Sequence, residues 1–124
     1  MMHGLSQTAE FWTFPTSNNK SLAVQMLEDG WDVWLGNARG TRFNIYEDQK
    51  NGMNVNSEEY WEFDWANMGA EDLPLMINKV LSESKNYTKI NYIGYSQGTT
   101  QFIYGFSHLP STYLPLINMY TGLG

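Results

Sequence analysis

The fold is decided by one stretch of the sequence, Lys89-Ile90-Asn91-Tyr92-Ile93-Gly94-Tyr95-Ser96-Gln97-Gly98. Residues 89–95 form an apolar, β-forming run that predicts a strand, and residues 97–107 predict a helix. The pattern Gly-x-Ser-x-Gly lies between them, and there it is typical of the strained turn that exposes a nucleophilic serine. Ser96 is therefore the candidate nucleophile. Glycines flank it because a Cβ at Gly94 or Gly98 would clash across that turn. An idle serine in a turn of small residues is the alternative.

The rest of the chain alternates helix and strand patterns around this turn. In chain order, the apolar spacing and turn residues predict a loop over 3–20 and a helix over 18–29, with Ser17, Asn18 and Asn19 as N-cap candidates and Gly30 as its stop. They then predict a strand over 31–35, a loop over 41–64, a helix around 73–81 and, after Leu109-Pro110, a strand over 117–123. This order predicts an α/β fold with a mostly parallel sheet flanked by helices. One helix face is predicted to be core, namely Leu73, Met76, Ile77, Val80 and Leu81.

Composition excludes several classes of function. The 124 residues fit one domain, and 7 basic against 13 acidic residues disfavour binding to a phosphate backbone. The sequence has 0 cysteines, so disulfides, thiolate metal sites and a cysteine nucleophile are excluded. No apolar run is long enough to span a membrane, and the first residues lack the apolar region of a signal peptide. No metal site is predicted, because the acidic residues of 58–64 lack the spacing of a calcium loop. No cofactor is predicted either.

Six stretches, in the same order along the chain, resemble the acid lipase family of α/β-hydrolases, which includes gastric and lysosomal acid lipases. They are His3-Gly4-Leu5, Asn19-Lys20-Ser21-Leu22-Ala23, Asp32-Val33-Trp34-Leu35-Gly36-Asn37-Ala38-Arg39-Gly40, Tyr60-Trp61-Glu62-Phe63, Asp72-Leu73-Pro74 and Tyr92-Ile93-Gly94-Tyr95-Ser96-Gln97-Gly98-Thr99-Thr100. The block containing Trp34 to Gly40 and the elbow ending in Thr99-Thr100 are the most specific to this family.

The resemblance implies a serine ester hydrolase of lipid metabolism that needs no cofactor. Ser96 would attack an ester carbonyl, and the backbone N–H groups of Leu5 and Gln97 would form the oxyanion hole. The family's substrates are triacylglycerols, sterol esters and related lipid esters, and its members are largely secreted or lysosomal. The full-length protein would also contact a lipid surface transiently. Arg39 and Asn37 match a family loop, where we expect them to hold loops by hydrogen bonds rather than to act in catalysis.

The chain departs from the family pattern in three respects. Tyr95 stands where these lipases usually have histidine. No Asp or Glu follows Ser96, and the later His108 would lie roughly 18 Å along the helix at about 1.5 Å per residue, too far to act as a base. His3 precedes Ser96, so the family order does not offer it as the base either.

We therefore expect residues 1–124 to form a partial α/β-hydrolase core without the first strands, the cap and the catalytic Asp and His, and to be inactive alone. The strand that leads into His3 should lie between 31–35 and 89–95, so those two strands should flank an empty slot. Two other functions stay open: a non-catalytic module that binds a lipid or a protein, and a thioesterase or peptidase. Trp61, Phe63 and Trp65 could line an acyl pocket, but burial against the sheet is the simpler interpretation.

Overall fold

A computed structural model describes residues 1–15, 19–84 and 86–124. Its elements are the helices α1 (Leu22–Glu28), α2 (Arg42–Lys50), α3 (Trp65–Asn67), α4 (Leu73–Glu83), α5 (Gln97–His108) and α6 (Pro110–Tyr113), the strands β1 (Ile90–Tyr95) and β2 (Ile117–Leu123), 3-10 turns at Ala9–Thr13 and Glu59–Trp61, and a π-helical turn at Met68–Asp72. This mixture of helices with a two-stranded parallel sheet is compatible with part of an α/β fold.

The strands predicted over 89–95 and 117–123 are confirmed as β1 and β2. They pair in parallel, with Tyr92 opposite Tyr120 and Gly94 opposite Gly122, and α5 and α6 form the connection between them. A crossover containing a helix is what joins parallel neighbours in a sheet. β1 ends directly before Ser96 and α5 begins directly after it, so this unit places the candidate nucleophile at the carboxyl end of the sheet.

The strand predicted over residues 31–35 is wrong. These residues form no strand, and the segment pairs only through Gly36, which bridges Met2 in parallel. Met2 also bridges Gly94 in parallel, so it lies between the two segments. The predicted slot is thus occupied at one end by Met1 and Met2. The residues in 31–35 have the composition of a strand, but a strand needs a neighbour along its length to complete its hydrogen bonds.

An aromatic stack forms the centre of the core. Phe102 of α5 packs on both Tyr92 of β1 and Tyr120 of β2, with ring centroids 4.6 and 4.4 Å away, and the two tyrosine rings are 6.2 Å apart. Tyr113 meets the same ring edge-on, and its hydroxyl donates to the Gly69 carbonyl oxygen. Rings offset or edge-on at these distances stabilise a core beyond the area that they bury.

The helix predicted around 73–81 is confirmed as α4. Leu73 and Ile77 are 1% and 2% exposed, while Met76, Val80 and Leu81 are half-buried. The helix predicted over 18–29 is confirmed in shorter form as α1. Its N-cap is Ser21, whose hydroxyl accepts from the Val24 N–H at 3.2 Å; of the three candidates, Ser17 and Asn18 lie outside the described residues. Gly30 follows at φ +88°, as a stop signal predicts.

The loops predicted over 3–20 and 41–64 are wrong in part, because each contains a helical turn or helix. Ala9–Thr13 is a 3-10 turn, and α2 occupies Arg42–Lys50. No residue of α2 is buried, so this helix lacks the apolar stripe by which a helix is detected in a sequence. Leu109-Pro110 does end α5, but Pro110 also begins the short helix α6.

Of the aromatic residues Trp61, Phe63 and Trp65, only Phe63 is half-buried and packs against the core, so the prediction of burial is wrong for the two tryptophans. Trp61 and Trp65 are 47% and 42% exposed. The Trp61 indole donates to the Val55 carbonyl oxygen at 2.8 Å, and a Cβ on Gly40 would lie 2.8 Å from the Phe63 ring. These rings therefore pack over a backbone turn, where a glycine leaves room for them.

Arg39 and Asn37 hold backbone segments together, and that prediction is confirmed. Arg39 Nε donates to Asp72 at 2.7 Å, and its Nη2 donates to Asp72 and to Glu71. The hydrogen bonds that Arg39 donates to Asp72 are the main reason that the pKa of Arg39 is raised. Asn37 Oδ1 accepts from the Ala9 N–H at 2.8 Å. The segment 37–40 is thus tied both to the turn before α4 and to the 3-10 turn.

The crossing of α5 and the turn at Met68–Asp72 requires a glycine at position 105. A Cβ there would overlap the Tyr113 hydroxyl and the Gly69 carbonyl oxygen. We expect Gly105→Ala to lower the free energy of unfolding by about 1–3 kcal/mol through overpacking, despite the better helix propensity of alanine. Urea denaturation measures the change, with Ser107→Ala at an exposed position of the same helix as the control. An unchanged or higher midpoint for Gly105→Ala would contradict this packing.

Candidate active site

Ser96 has a backbone conformation that few non-glycine residues adopt. Its φ is 49° and its ψ is −115°, between the end of β1 and the first turn of α5. Its N–H donates to the Leu123 carbonyl oxygen at 2.7 Å, and its own carbonyl oxygen accepts from Thr99 and Thr100. A strained residue persists only where its surroundings fix it, and such residues concentrate at functional sites. Here β2 and the start of α5 fix it.

The two glycines of the motif allow three backbone segments to meet beneath Ser96. A Cβ on Gly94 would lie 2.7 Å from the Gly98 carbonyl carbon, and a Cβ on Gly98 would lie 2.7 Å from the Met2 carbonyl oxygen. Real Cβ atoms do not tolerate such distances, so both positions require glycine. The expected clash across the turn is therefore present in the structure, and Met2–His3 takes part in it as well.

The segment after His3 forms a tight turn beside Ser96. The Gln7 N–H donates to the Gly4 carbonyl oxygen at 3.3 Å, and Ser6 has a φ of 58°, which fits a type II turn with Leu5 at its second position. A Cβ on Gly4 would lie 3.1 Å from the Ser96 Cβ and 3.2 Å from the Tyr95 ring. The turn and the serine are therefore in contact.

Two backbone N–H groups near this contact donate no hydrogen bond within the described residues. Among the hydrogen bonds within residues 1–15, 19–84 and 86–124, none is donated by the N–H of Leu5 or Gln97. The neighbouring Gly4 N–H is already used, because it donates to Gln7 Oε1 at 2.9 Å. Gln97 is the first residue of α5, where the helix leaves its N–H without a partner. Leu5 follows Gly4, which contacts Ser96, and Gln97 follows Ser96 in the chain.

His3 is buried and supports the turn. It is 2% exposed; its Nε2 accepts from the Ala38 N–H at 3.1 Å, so its Nδ1 carries the proton and donates to the Gly4 carbonyl oxygen at 2.8 Å. Burial lowers the pKa of His3, partly offset by the bond to Gly4. Both ring nitrogens are engaged, so His3 has no free acceptor for the proton of Ser96.

His108 lies at the opposite end of α5 from Ser96, as its sequence position predicts. Its ring stacks on Tyr104 at 4.0 Å, and its Nδ1 bonds to the Tyr104 carbonyl oxygen. Within the described residues, therefore, neither imidazole is placed to take a proton from the serine.

Three residues at the site could not be found from the sequence motifs. Phe11 stacks on Tyr95 with centroids 4.6 Å apart, next to the nucleophile. Gln7 fixes the turn through its side-chain oxygen, and Met2 supplies the backbone against Gly98. The contacts of Phe11 and Met2 join distant parts of the chain, which no local pattern records, and the Gln7 bond depends on the geometry of its turn.

In the part of the chain that the structure describes, no cluster of three or more His, Asp or Glu side chains could hold a metal ion. Nor does any helix there have the length and apolar character to cross a membrane.

Comparison with curated proteins identifies the family. The chain is 39% identical to rat gastric triacylglycerol lipase over 114 residues, which are 90% of this chain and 27% of that lipase. It is 36% identical to mouse lipase member M over 110 residues (89% of the chain, 25% of the relative) and 33% identical to human lysosomal acid lipase/cholesteryl ester hydrolase over all 124 residues (30% of the relative). The chain belongs to the acid lipase family. It spans a quarter to about a third of the length of these acid lipases. No protein-family model matches it.

A neutral His3 holds the Gly4–Gln7 turn of this acid lipase chain in place. The free energy of unfolding should therefore depend on pH. Because the pKa of His3 is lowered in the fold, the unfolded chain takes up its proton first as the pH falls. The stabilisation by His3 is complete above its unfolded pKa of about 6.5 and is lost as the pH falls below it. His3→Gln keeps an acceptor and does not titrate.

We expect the difference in unfolding free energy between the unchanged chain and His3→Gln to be constant from about pH 8 to 7 and to shrink below about pH 6.5. Urea denaturation at each pH measures both. The Met1 amine, with its pKa lowered to about 6 by burial, also titrates in this range, but it is present in both proteins and cancels in the difference. A difference independent of pH would show that His3 is not held neutral.

Proposed function

We propose that this chain carries the nucleophile and the oxyanion hole of a serine ester hydrolase that acts on lipid esters. The observation that carries the proposal is the contact between the strained Ser96 and the Gly4–Gln7 turn, with the Leu5 and Gln97 N–H groups open beside it. The names of the relatives support the substrate class, since they include a triacylglycerol lipase and a cholesteryl ester hydrolase.

In the proposed reaction the Ser96 hydroxyl oxygen attacks the carbonyl carbon of the ester. The negative charge that develops on the carbonyl oxygen is received by the N–H groups of Leu5 and Gln97. The hydroxyl proton passes to a general base and from there to the departing alcohol, leaving an acyl group on Ser96. Water then attacks the acyl group, and the acid and serine are released.

The base and the acid that orients it come, in this proposal, from sequence outside residues 1–124. His3 is fully bonded to backbone, and His108 lies at the far end of α5. In the proposal, residues 1–124 are accordingly a partial α/β-hydrolase core. The isolated chain is expected to hydrolyse esters at a small fraction of the rate of the complete protein.

Replacement of the serine tests the proposal directly. In the complete polypeptide purified from its source, Ser96→Ala is expected to lower turnover of a fluorogenic fatty ester by at least about 10³-fold, because the covalent step is lost. A fluorophosphonate probe should label the unchanged protein and not this variant. Ser107→Ala, at an exposed position of the same helix, should leave both readouts unchanged.

Two results would contradict the proposal. Unchanged ester turnover in a folded Ser96→Ala protein would show that another group is the nucleophile. Absence of probe labelling in the unchanged complete protein would favour a non-catalytic module, the alternative suggested by the lack of an available imidazole near Ser96 in the described residues.

The Leu5 donor can be tested because its turn accepts proline. Leu5 stands at the second position of a turn that fits type II, where proline is common, and its side chain is 70% exposed. Leu5→Pro removes the N–H, and we expect kcat to fall about 10²–10³-fold. Leu5→Ala keeps the N–H and should change kcat less than about tenfold. Equal activities of the two variants would exclude this N–H from the oxyanion hole.

A further inference from the structure

Gln7 makes two hydrogen bonds to Gly4, the residue that precedes the proposed oxyanion donor Leu5. The Gln7 N–H donates to the Gly4 carbonyl oxygen at 3.3 Å and closes the turn. The Gln7 side chain reaches back, and its Oε1 accepts from the Gly4 N–H at 2.9 Å. One residue therefore holds both polar backbone groups of Gly4, and the side-chain bond has no part in the reaction proposed above.

Gly4 lies too close to its neighbours for a side chain to fit without displacing them. A Cβ there would lie 3.0 Å from the Gln7 Oε1, 3.1 Å from the Ser96 Cβ and 3.2 Å from the Tyr95 ring. Glycine is also the residue with the widest choice of backbone angles. The residue beside the candidate nucleophile is thus one whose backbone needs bonds from elsewhere to keep a single conformation.

The direction of the Leu5 N–H depends on the conformation of Gly4. The Gly4 carbonyl and the Leu5 N–H belong to one planar trans peptide, so they point in opposite directions. The carbonyl oxygen accepts from the His3 Nδ1–H at 2.8 Å and from the Gln7 N–H at 3.3 Å. Rotation about the backbone bonds of Gly4 would move both ends of this peptide together. Bonds that fix Gly4 therefore also fix the Leu5 N–H.

The turn has two weak points of its own. Its closing bond of 3.3 Å is longer than the usual N–H···O distance of about 2.9–3.0 Å. Ser6 stands at its third position with a φ of 58°, where a type II turn favours glycine. A serine there is strained and persists only if its surroundings hold it. The bond from the Gly4 N–H to the Gln7 side chain is the shorter of the two Gln7 bonds, and it supplies such support.

We propose that Gln7 is a positioning residue for the oxyanion hole: its side-chain oxygen holds Gly4, and through Gly4 it fixes the Leu5 N–H. This inference rests on the proposed function, because it concerns the donor assigned there to Leu5. Gln7 acts through Gly4 and Leu5 rather than on the substrate. Its effect belongs in kcat, because a fixed donor matters most when negative charge develops on the carbonyl oxygen.

A purely structural role is the rival explanation for the Gln7 side chain. Gly4 is buried, and a buried N–H without a partner destabilises a fold wherever it lies. The two roles differ in what they depend on. A structural bond changes the fraction of folded protein, whereas a positioning bond changes the rate of the folded protein, and only while the Leu5 N–H is present. Combining variants at the two positions measures this dependence.

The test measures kcat and KM of the complete polypeptide on a fluorogenic fatty ester, with urea denaturation to establish that each variant is folded. Gln7→Met keeps an unbranched side chain without the acceptor oxygen. We expect its kcat to fall about 10- to 100-fold and its KM to change less than about threefold. Gln7→Ala leaves the Gly4 N–H to water and should show the same loss, so the test does not depend on one variant folding. Gln49→Met makes the same change at an exposed position of α2 and should alter neither constant.

The double variant separates the two roles. In the Leu5→Pro background, which lacks the donor, Gln7→Met should lower kcat by less than about twofold more. A full further loss there would overturn the proposal and give Gln7 a structural role, and so would an unchanged kcat in folded Gln7→Met. A loss in Gln7→Met with none in Leu5→Pro would overturn the donor assigned to Leu5, and this inference with it. Failure of the inference alone is therefore distinguishable from failure of the proposed function.

Discussion

The structure depends on a close approach of backbones at Gly98. The Met2–His3 segment passes over the start of α5 at a distance that leaves no room for a Cβ, and Gly94 meets Gly98 from below. This approach lets Met2 bridge β1, and it brings the Gly4–Gln7 turn against Ser96. A side chain at either glycine would separate the sheet from the turn.

The candidate site depends on one short segment, residues 1–7. Residues 1–7 carry, in order, a pair of residues with strand pairing, a buried histidine and a tight turn. The histidine fixes the turn through backbone bonds to Gly4 and Ala38, so its role is structural. The position of the turn therefore depends on how firmly Met1 and Met2 are held between their neighbours.

The sequence predicted the elements that carry strong local signals. β1, α5, β2 and α4 were predictable because apolar spacing and the Gly-x-Ser-x-Gly turn mark them. α2 was missed because it has no buried face. Trp31–Leu35 was predicted as a strand from composition, although strand structure also needs a neighbour. Ser96 was identified from its motif and Leu5 and Gln97 from resemblance. The roles of Phe11 and Met2 depend on distant contacts, and that of Gln7 depends on the geometry of its turn.

The central claim is that the turn after His3 and the start of α5 form one anion site beside Ser96. A crystal structure of the complete protein after reaction with a fluorophosphonate would test it most directly. The account predicts phosphorus bonded to the Ser96 hydroxyl oxygen, with one phosphonyl oxygen within about 2.7–3.1 Å of both the Leu5 and Gln97 nitrogens. An adduct on another residue, or a phosphonyl oxygen directed to other donors, would contradict it.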